Sequence, residues 1–168
     1  MASPSTANIL HYLDANALWK FYRAEKGDAN VRALVANSPF QTLVSPLTML
    51  EFIGVLMKYY RKGSLGRRHI NAIAKRLRRD SAAGKSHRPF RVIPMPESCL
   101  REAEGILLQH GCNSDIQTND ALHMAIVARL DREGPVVLVT SDGPLQGATQ
   151  RRGMAWYDPE TNKSCNKT

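Results

Sequence analysis

Cysteine is scarce and unpaired in this chain. Cys99, Cys112 and Cys165 are three in 168 residues, an odd number with no CxxC pair. That argues against a disulfide scaffold and for a reducing cytosol. The opening MASPSTANIL has neither a basic n-region nor an apolar h-region, so no secretory signal is expected there. No run approaches the roughly 20 apolar residues of a membrane helix. Without an export signal, the glycosylation patterns at Asn162-Lys163-Ser164 and Asn166-Lys167-Thr168 carry no weight. Nucleotide signatures are missing too. No GxGxxG follows the first apolar run. Gly84-Lys85-Ser86 does not close a phosphate loop, because Arg79 stands where the earlier glycine belongs and no strand precedes the segment. His110 and Cys112 do not extend into a zinc-ligand pattern. The expectation left standing is a cytoplasmic protein with no membrane partner.

Acidic residues are missing from one region in particular. Between residues 58 and 91, Lys58, Arg61, Lys62, Arg67, Arg68, Lys75, Arg76, Arg78, Arg79, Lys85, Arg88 and Arg91 face the single acid Asp80. The whole chain carries a net charge of +8, which favours polyanionic partners such as nucleic acid. Ile70, Ile73, Ala74 and Leu77 keep a helical spacing through the basic run, so it reads as a basic amphipathic helix. Arg67, Arg68, Arg76 and Arg79 on it are candidates for tracking an RNA backbone; a solvated helix face would look the same. Residues 81–89 read as the most flexible loop.

The remaining residues have the balance of an ordinary globular domain, 43% hydrophobic and 23% charged. Strands are expected at 8–14, 41–44, 90–94, 136–140 and 154–157. Helices are expected from Asn16, as cap, to Gly27, then at 29–36, 45–62, 97–110, 120–130 and 145–152, with a turn at 37–40. Ser45-Pro46 is a strong helix start, and Gly111 a good stop. The helix after Pro46 is apolar nearly all round (Leu47, Leu50, Phe52, Ile53, Val55, Leu56, Met57) and reads as buried. Strands alternating with helices predict an α/β fold, a three-layer α/β/α sandwich on a mostly parallel central sheet. One domain is expected over 8–158, with polar tails at 1–7 and 159–168.

Four carboxylates stand out within that frame. Asp14 and Asp142 each follow a predicted parallel strand, where open α/β sheets bind ligands. Glu51 lies more than a turn inside an apolar helix, where a carboxylate wants a counter-ion. Asp120 opens the helix of TNDALHMAIVARL. Taken singly, Asp14, Asp120 and Asp142 read equally as caps or turn residues. Together, with no Cys or His partner, the four suit a hard, oxygen-seeking cation, Mg2+ or Mn2+, and hydrolysis of RNA. His123, one turn from Asp120, reads as a partly exposed helical histidine. Trp19 and Trp156 read as core or interface residues, and Cys99 and Cys112 as small packed hydrophobes.

At these residues the chain resembles the PIN-domain ribonucleases, and among them the VapC-type toxins of bacterial toxin–antitoxin pairs. LDANAL, SPLTMLEFIGVL, TNDALHMA and LVTSDGPL resemble the family's four blocks in order, and the closing WYDP resembles its final strand. The resemblance implies a PIN-like fold, metal-dependent endoribonuclease activity, a homodimer and inhibition by a small VapB-like antitoxin. It makes Asp14, Glu51, Asp120 and Asp142 the catalytic and metal-binding acids, with Asn16, Thr140 and Ser141 as supporting polar positions. Pro144 stands where many members carry a further acid, which leaves open whether one ion or two bind. Two alternatives stay in play, a housekeeping RNA-processing nuclease and a non-catalytic RNA-binding or scaffold module.

Overall fold

Short apolar runs separated by amphipathic segments give the chain strands that must be covered on both faces and helices to cover them. The computed structural model describes residues 9–38, 42–83, 88–111 and 115–165. Its elements are β1 (Leu10–Leu13), α1 (Ala15–Tyr22), α2 (Asp28–Asn37), β2 (Thr42–Val44), α3 (Pro46–Arg61), α4 (Arg67–Asp80) and β3 (Arg91–Val92). They continue through α5 (Glu97–His110), α6 (Thr118–Asp131), β4 (Val136–Val139), α7 (Gly143–Arg151), β5 (Ala155–Asp158) and β6 (Lys163–Cys165). The expected residues 1–8, 39–41, 84–87, 112–114 and 166–168, which include parts of the turn at 37–40 and the loop at 81–89, as well as Cys112, lie outside the described residues. Among the described residues no helix is long and apolar enough to cross a membrane.

The sheet runs β3-β2-β1-β4-β5-β6. Every neighbouring pair is parallel except β5 with β6. Along β1, Leu13 stands beside Val139 of β4, and His11 beside Thr42 of β2. Leu13, Val44 and Val139 face a core built with Leu18, Val31, Phe52, Leu56 and Leu77 from α1 to α4. Tyr12, Leu43 and Leu138 face the other core, with Cys99, Ile106, Met124, Ile126 and Leu145 from α5 to α7. The result is the expected three-layer α/β/α sandwich, with a topological switch point between β1 and β4. Both strands end their apolar runs there, and acids follow.

Several local expectations are corrected. Asp14, not Asn16, caps α1: its side chain accepts the Ala17 amide at 2.7 Å. Gly27 does not end that helix, which stops at Tyr22 with Arg23 as C-cap. Gly27 instead opens α2 at φ 85°, and a Cβ there would lie 2.8 Å from the Pro159 carbonyl oxygen. The α3 helix starts as expected on Ser45 and Pro46, but it is not buried all round. Leu47, Thr48, Phe52 and Leu56 are buried, whereas Leu50 is 71% exposed. The helix packs on α1 and α4 with one flank, and its other side borders open space. Helix α6 begins at Thr118 with Gln117 as its cap, so Asp120 sits in its first turn rather than at its start.

The segment expected as a polar tail carries β6, antiparallel to β5. Side chains from α1 and α2 hold its approach. The Lys20 ammonium, buried at 2% exposure, donates to Glu160 at 2.6 Å and to Glu25 at 3.1 Å. Asn30 donates to the Pro159 carbonyl at 2.8 Å.

Candidate functional site

A cleft of about 650 Å³ opens at the carboxyl edge of the parallel strands, and all four acids singled out in the sequence line it. They reach it from four places: Asp14 after β1, Glu51 on the second turn of α3, Asp120 in the first turn of α6, Asp142 after β4. Asn16, Trp19, Asn119, His123 and Tyr59 share the lining, and Lys58, Arg61 and Lys62 from the end of α3 form a basic margin.

Each acid is held by donors of its own surroundings. Asp14 takes the Ala17 amide, and Asp142 takes the Leu145 amide at 3.0 Å as the cap of α7. Asp120 accepts the Gln117 amide at 2.8 Å. Glu51 is gripped by two side chains of α6, the Asn119 amide and the His123 ring, each at 2.7 Å. The cap readings of Asp14 and Asp142 are therefore correct, and they coexist with the shared cleft. A helix N-terminus holds a carboxylate in place through one oxygen and places no demand on the other.

The electrostatics follow from this crowding. Burial pushes the Asp14 carboxyl above its ordinary range, the Ala17 amide, the His123 ring and the Thr140 hydroxyl working against the shift and the Glu51 charge with it. Burial raises Asp120 as well; its Gln117 hydrogen bond opposes this, and the charges of Asp142 and Glu51 reinforce it. Among the described residues, no lysine or arginine forms a salt bridge with any of the four. With the side chains oriented as they are, no three His, Cys, Asp or Glu groups among the described residues are gathered tightly enough to hold one ion. The donor chemistry nonetheless fits a divalent cation. Carboxylate oxygens dominate it, and burial destabilises two of the carboxyls, Asp14 and Asp120, as anions.

The supporting positions divide. Asn16 is exposed on the cleft. The Thr140 hydroxyl reaches Asp14 and accepts the Asp142 amide at 3.0 Å. Ser141 turns away and donates to Asp158 at 2.8 Å. Of the basic residues, Arg67, Arg68, Arg76 and Arg79 are exposed on α4 and none lines the cleft. Arg76 and Arg79 pair with Asp80 at 3.4 and 3.3 Å, and the Arg76 guanidinium lies over the rings of Phe21 and Tyr22.

His123 is the largest correction at the site. It is 2% exposed, not a surface histidine, and it links Tyr12 on β1 to Glu51 on α3. The signal was present in the sequence: Ala121, Met124 and Ala125 flank it on an apolar helix, and a polar ring there needs partners. Trp19 behaves as expected for a core residue, 3% exposed, stacked on Tyr59 at 4.7 Å and donating to Glu25.

A mostly parallel α/β sheet with an acid-lined crevice at its switch point places carboxylates at the strand ends, where open α/β sheets bind ligands. The family model for the PIN domain matches residues 11–146, a span that contains all four acids, and the chain belongs to that family. By sequence alone no curated protein matches it. Among solved structures, PAE2754 from Pyrobaculum aerophilum is similar at 24% identity and a TM-score of 0.60, over 92% of each chain. FitAcB from Neisseria gonorrhoeae is similar at 17% identity and a TM-score of 0.62, over 89% of this chain and 98% of that one. Mycobacterium tuberculosis VapC20, a sarcin-ricin loop cleaving toxin, is similar at 19% identity and a TM-score of 0.60, over 82% and 94%. These likenesses establish a shared fold.

Proposed function

We propose that this protein is a metal-dependent endoribonuclease, the toxin of a VapBC-like toxin–antitoxin pair, acting in the cytoplasm as a homodimer until a small antitoxin inhibits it. The observation that carries the reading is the meeting of Asp14, Glu51, Asp120 and Asp142 on one cleft from four separate elements. Family membership supports a nuclease. RNA as substrate and an antitoxin partner are supported by what the solved relatives are: one is a sarcin-ricin loop cleaving toxin, and another is a toxin–antitoxin complex from Klebsiella pneumoniae.

The four acids would hold Mg2+ or Mn2+. Such an ion, when bound, supplies a Lewis acid that makes water more acidic and offsets charge on the phosphoryl group. The chain's own residues do the rest. Four carboxylates on one cleft repel a polyanion, so RNA enters only when their charge is compensated. Lys58, Arg61 and Lys62 on the margin bind phosphates flanking the scissile bond, fixing position without reading sequence. The helix N-termini at Ala17 and Leu145 keep Asp14 and Asp142 from swinging away. Hydrolysis replaces the phosphorus bond to the leaving ribose oxygen with one to the water oxygen, and the displaced oxygen takes up a proton.

The deciding experiment is cleavage of total RNA with Mn2+, with Mg2+ and with a chelator, beside Asp14→Asn purified identically. Metal-dependent cutting that the variant loses, by about a hundredfold or more, is expected, since even outer partners of a metal site can cost that much. A variant that cuts like wild type removes Asp14 from the chemistry. Failure of wild type to bind Mn2+ would favour the non-catalytic module instead. RNA tracking is tested by salt dependence of binding. Replacing Lys58, Arg61 and Lys62 by Glu is expected to flatten the slope of log K against log salt by about 2, at roughly 0.7 per lost contact for single strands. Replacing Arg67, Arg68, Arg76 and Arg79 measures how far the path continues over α4, and an unchanged slope makes that helix a solvated face.

A further inference from the structure

Behind Glu51 lies a polar relay that the cleft chemistry does not itself require. Tyr12, fully buried on β1, places its hydroxyl 2.8 Å from Ser45 Oγ and 2.8 Å from His123 Nδ1. Thr48 Oγ1 stands 3.2 Å from the same hydroxyl and 3.0 Å from the Leu13 carbonyl. His123 Nε2 then meets Glu51 Oε2 at 2.7 Å, and Asn119 Nδ2 meets Oε1 at the same distance. The five polar side chains behind Glu51 come from β1, the α3 cap and first turn, and α6.

Proton accounting orders this relay. The Leu13 carbonyl only accepts, so Thr48 gives it its single proton. The Glu51 carboxylate only accepts, so His123 Nε2 carries a hydrogen whatever the charge of the ring. A neutral ring then accepts at Nδ1 from the Tyr12 hydroxyl, which in turn accepts from Ser45. With that assignment the Tyr12, Ser45 and Thr48 hydroxyls and both His123 nitrogens each have a partner, and the ring has one orientation that achieves this.

We propose that His123 and Asn119 are positioning residues that hold both oxygens of Glu51 at the cleft, and that the Ser45–Tyr12 hydroxyls hold His123 in turn. The inference rests on the reading of Glu51 as part of the cation-holding set and assigns the residues that keep it there. Glu51 has a flexible side chain on the exposed flank of α3, and neither a helix cap nor a backbone amide fixes it as they fix the three aspartates. Two donors from α6 take the place of a cap.

The test is Mn2+ affinity of the full chain without RNA, with melting temperature measured on the same samples. Wild type is compared with Asp14→Asn, His123→Leu, His123→Gln, Tyr12→Phe and Asn119→Ala. His123→Leu is expected to weaken Mn2+ binding about tenfold to a hundredfold, the range for outer partners of metal ligands. His123→Gln, whose amide nitrogen replaces Nε2 as the donor to Glu51, is expected to restore most of that loss. A residue that only filled space would show no such rescue. Tyr12→Phe is expected to fall between them. Asn119 is exposed, so Asn119→Ala keeps the fold and is expected to weaken binding severalfold even if the buried variants unfold. Unchanged affinity in His123→Leu and Asn119→Ala, with binding lost in Asp14→Asn, overturns the inference and leaves the nuclease reading intact. Gln no better than Leu at position 123 overturns the role of the Nε2 donor. Absence of Mn2+ binding in wild type overturns the nuclease reading, and this inference with it.

Discussion

Two buried carboxylates stand at the same edge of the sheet, and their surroundings treat them oppositely. Asp158, the last residue of β5, is 7% exposed and accepts the Thr161 hydroxyl at 2.7 Å, the Ser141 hydroxyl at 2.8 Å and the Glu160 amide at 2.9 Å. Burial alone would raise its carboxyl, but those donors outweigh it and hold it below the ordinary range. Asp14, just past β1, is 5% exposed, and burial outweighs its donors and raises it. Asp158 is closed by the protein. Asp14 is left short of partners beside Glu51, with Asp120 raised for similar reasons. The same fold satisfies the charge of one buried carboxylate and leaves that of two others disfavoured by burial.

The largest effect that could break this comparison is a double dissociation. Asp14→Asn is expected to abolish cleavage yet melt at or above the wild-type temperature in chelator, because Asn keeps the helix cap and sheds a buried charge. Asp158→Ala is expected to do the reverse. Losing the charge-assisted hydrogen bonds from Ser141, Thr161 and the Glu160 amide costs about 2 kcal/mol, or roughly 4–8 °C, with cleavage per folded molecule largely kept. Calorimetry and an RNA assay on both variants check this; equal melting losses would erase the distinction.

A smaller effect is the response of stability to Mn2+. At a hundred times its dissociation constant, the ion is expected to stabilise wild type by about 2.7 kcal/mol. Asp158→Ala should gain as much, and Asp14→Asn far less.

The smallest is pH dependence in chelator. Asp14 and Asp120 have folded pKa values above the unfolded value of about 3.9, so they bind more protons when folded. Their contribution is complete below that value and is lost as pH rises through the folded pKa. Asp158, lowered, contributes above the unfolded value and loses it as pH falls through the folded pKa. Melting curves across the carboxylate range should therefore show Asp14→Asn flattening the loss toward neutral pH and Asp158→Asn flattening the loss toward acid.

Much of this molecule was legible in one dimension. Apolar runs ending in Asp14 and Thr140, the Ser45-Pro46 start of α3, the span of α5 closed at Gly111 and the order of strands and helices all follow from local pattern. Residues within a turn of each other decide such features. The four acids were legible for the same reason, since each breaks the pattern around it. What only the tertiary structure decided depends on neighbours that arrive from far along the chain. His123 is buried because Tyr12, 111 residues away, and Glu51, 72 away, close on its two nitrogens. Leu50 is exposed because α3 makes its main helix contacts with α1 and α4, away from that residue, and β6 forms because β5 offers it an edge. Periodicity can say that a helix has an apolar face. It cannot say how many sides will be covered, because coverage belongs to the packing of the whole chain.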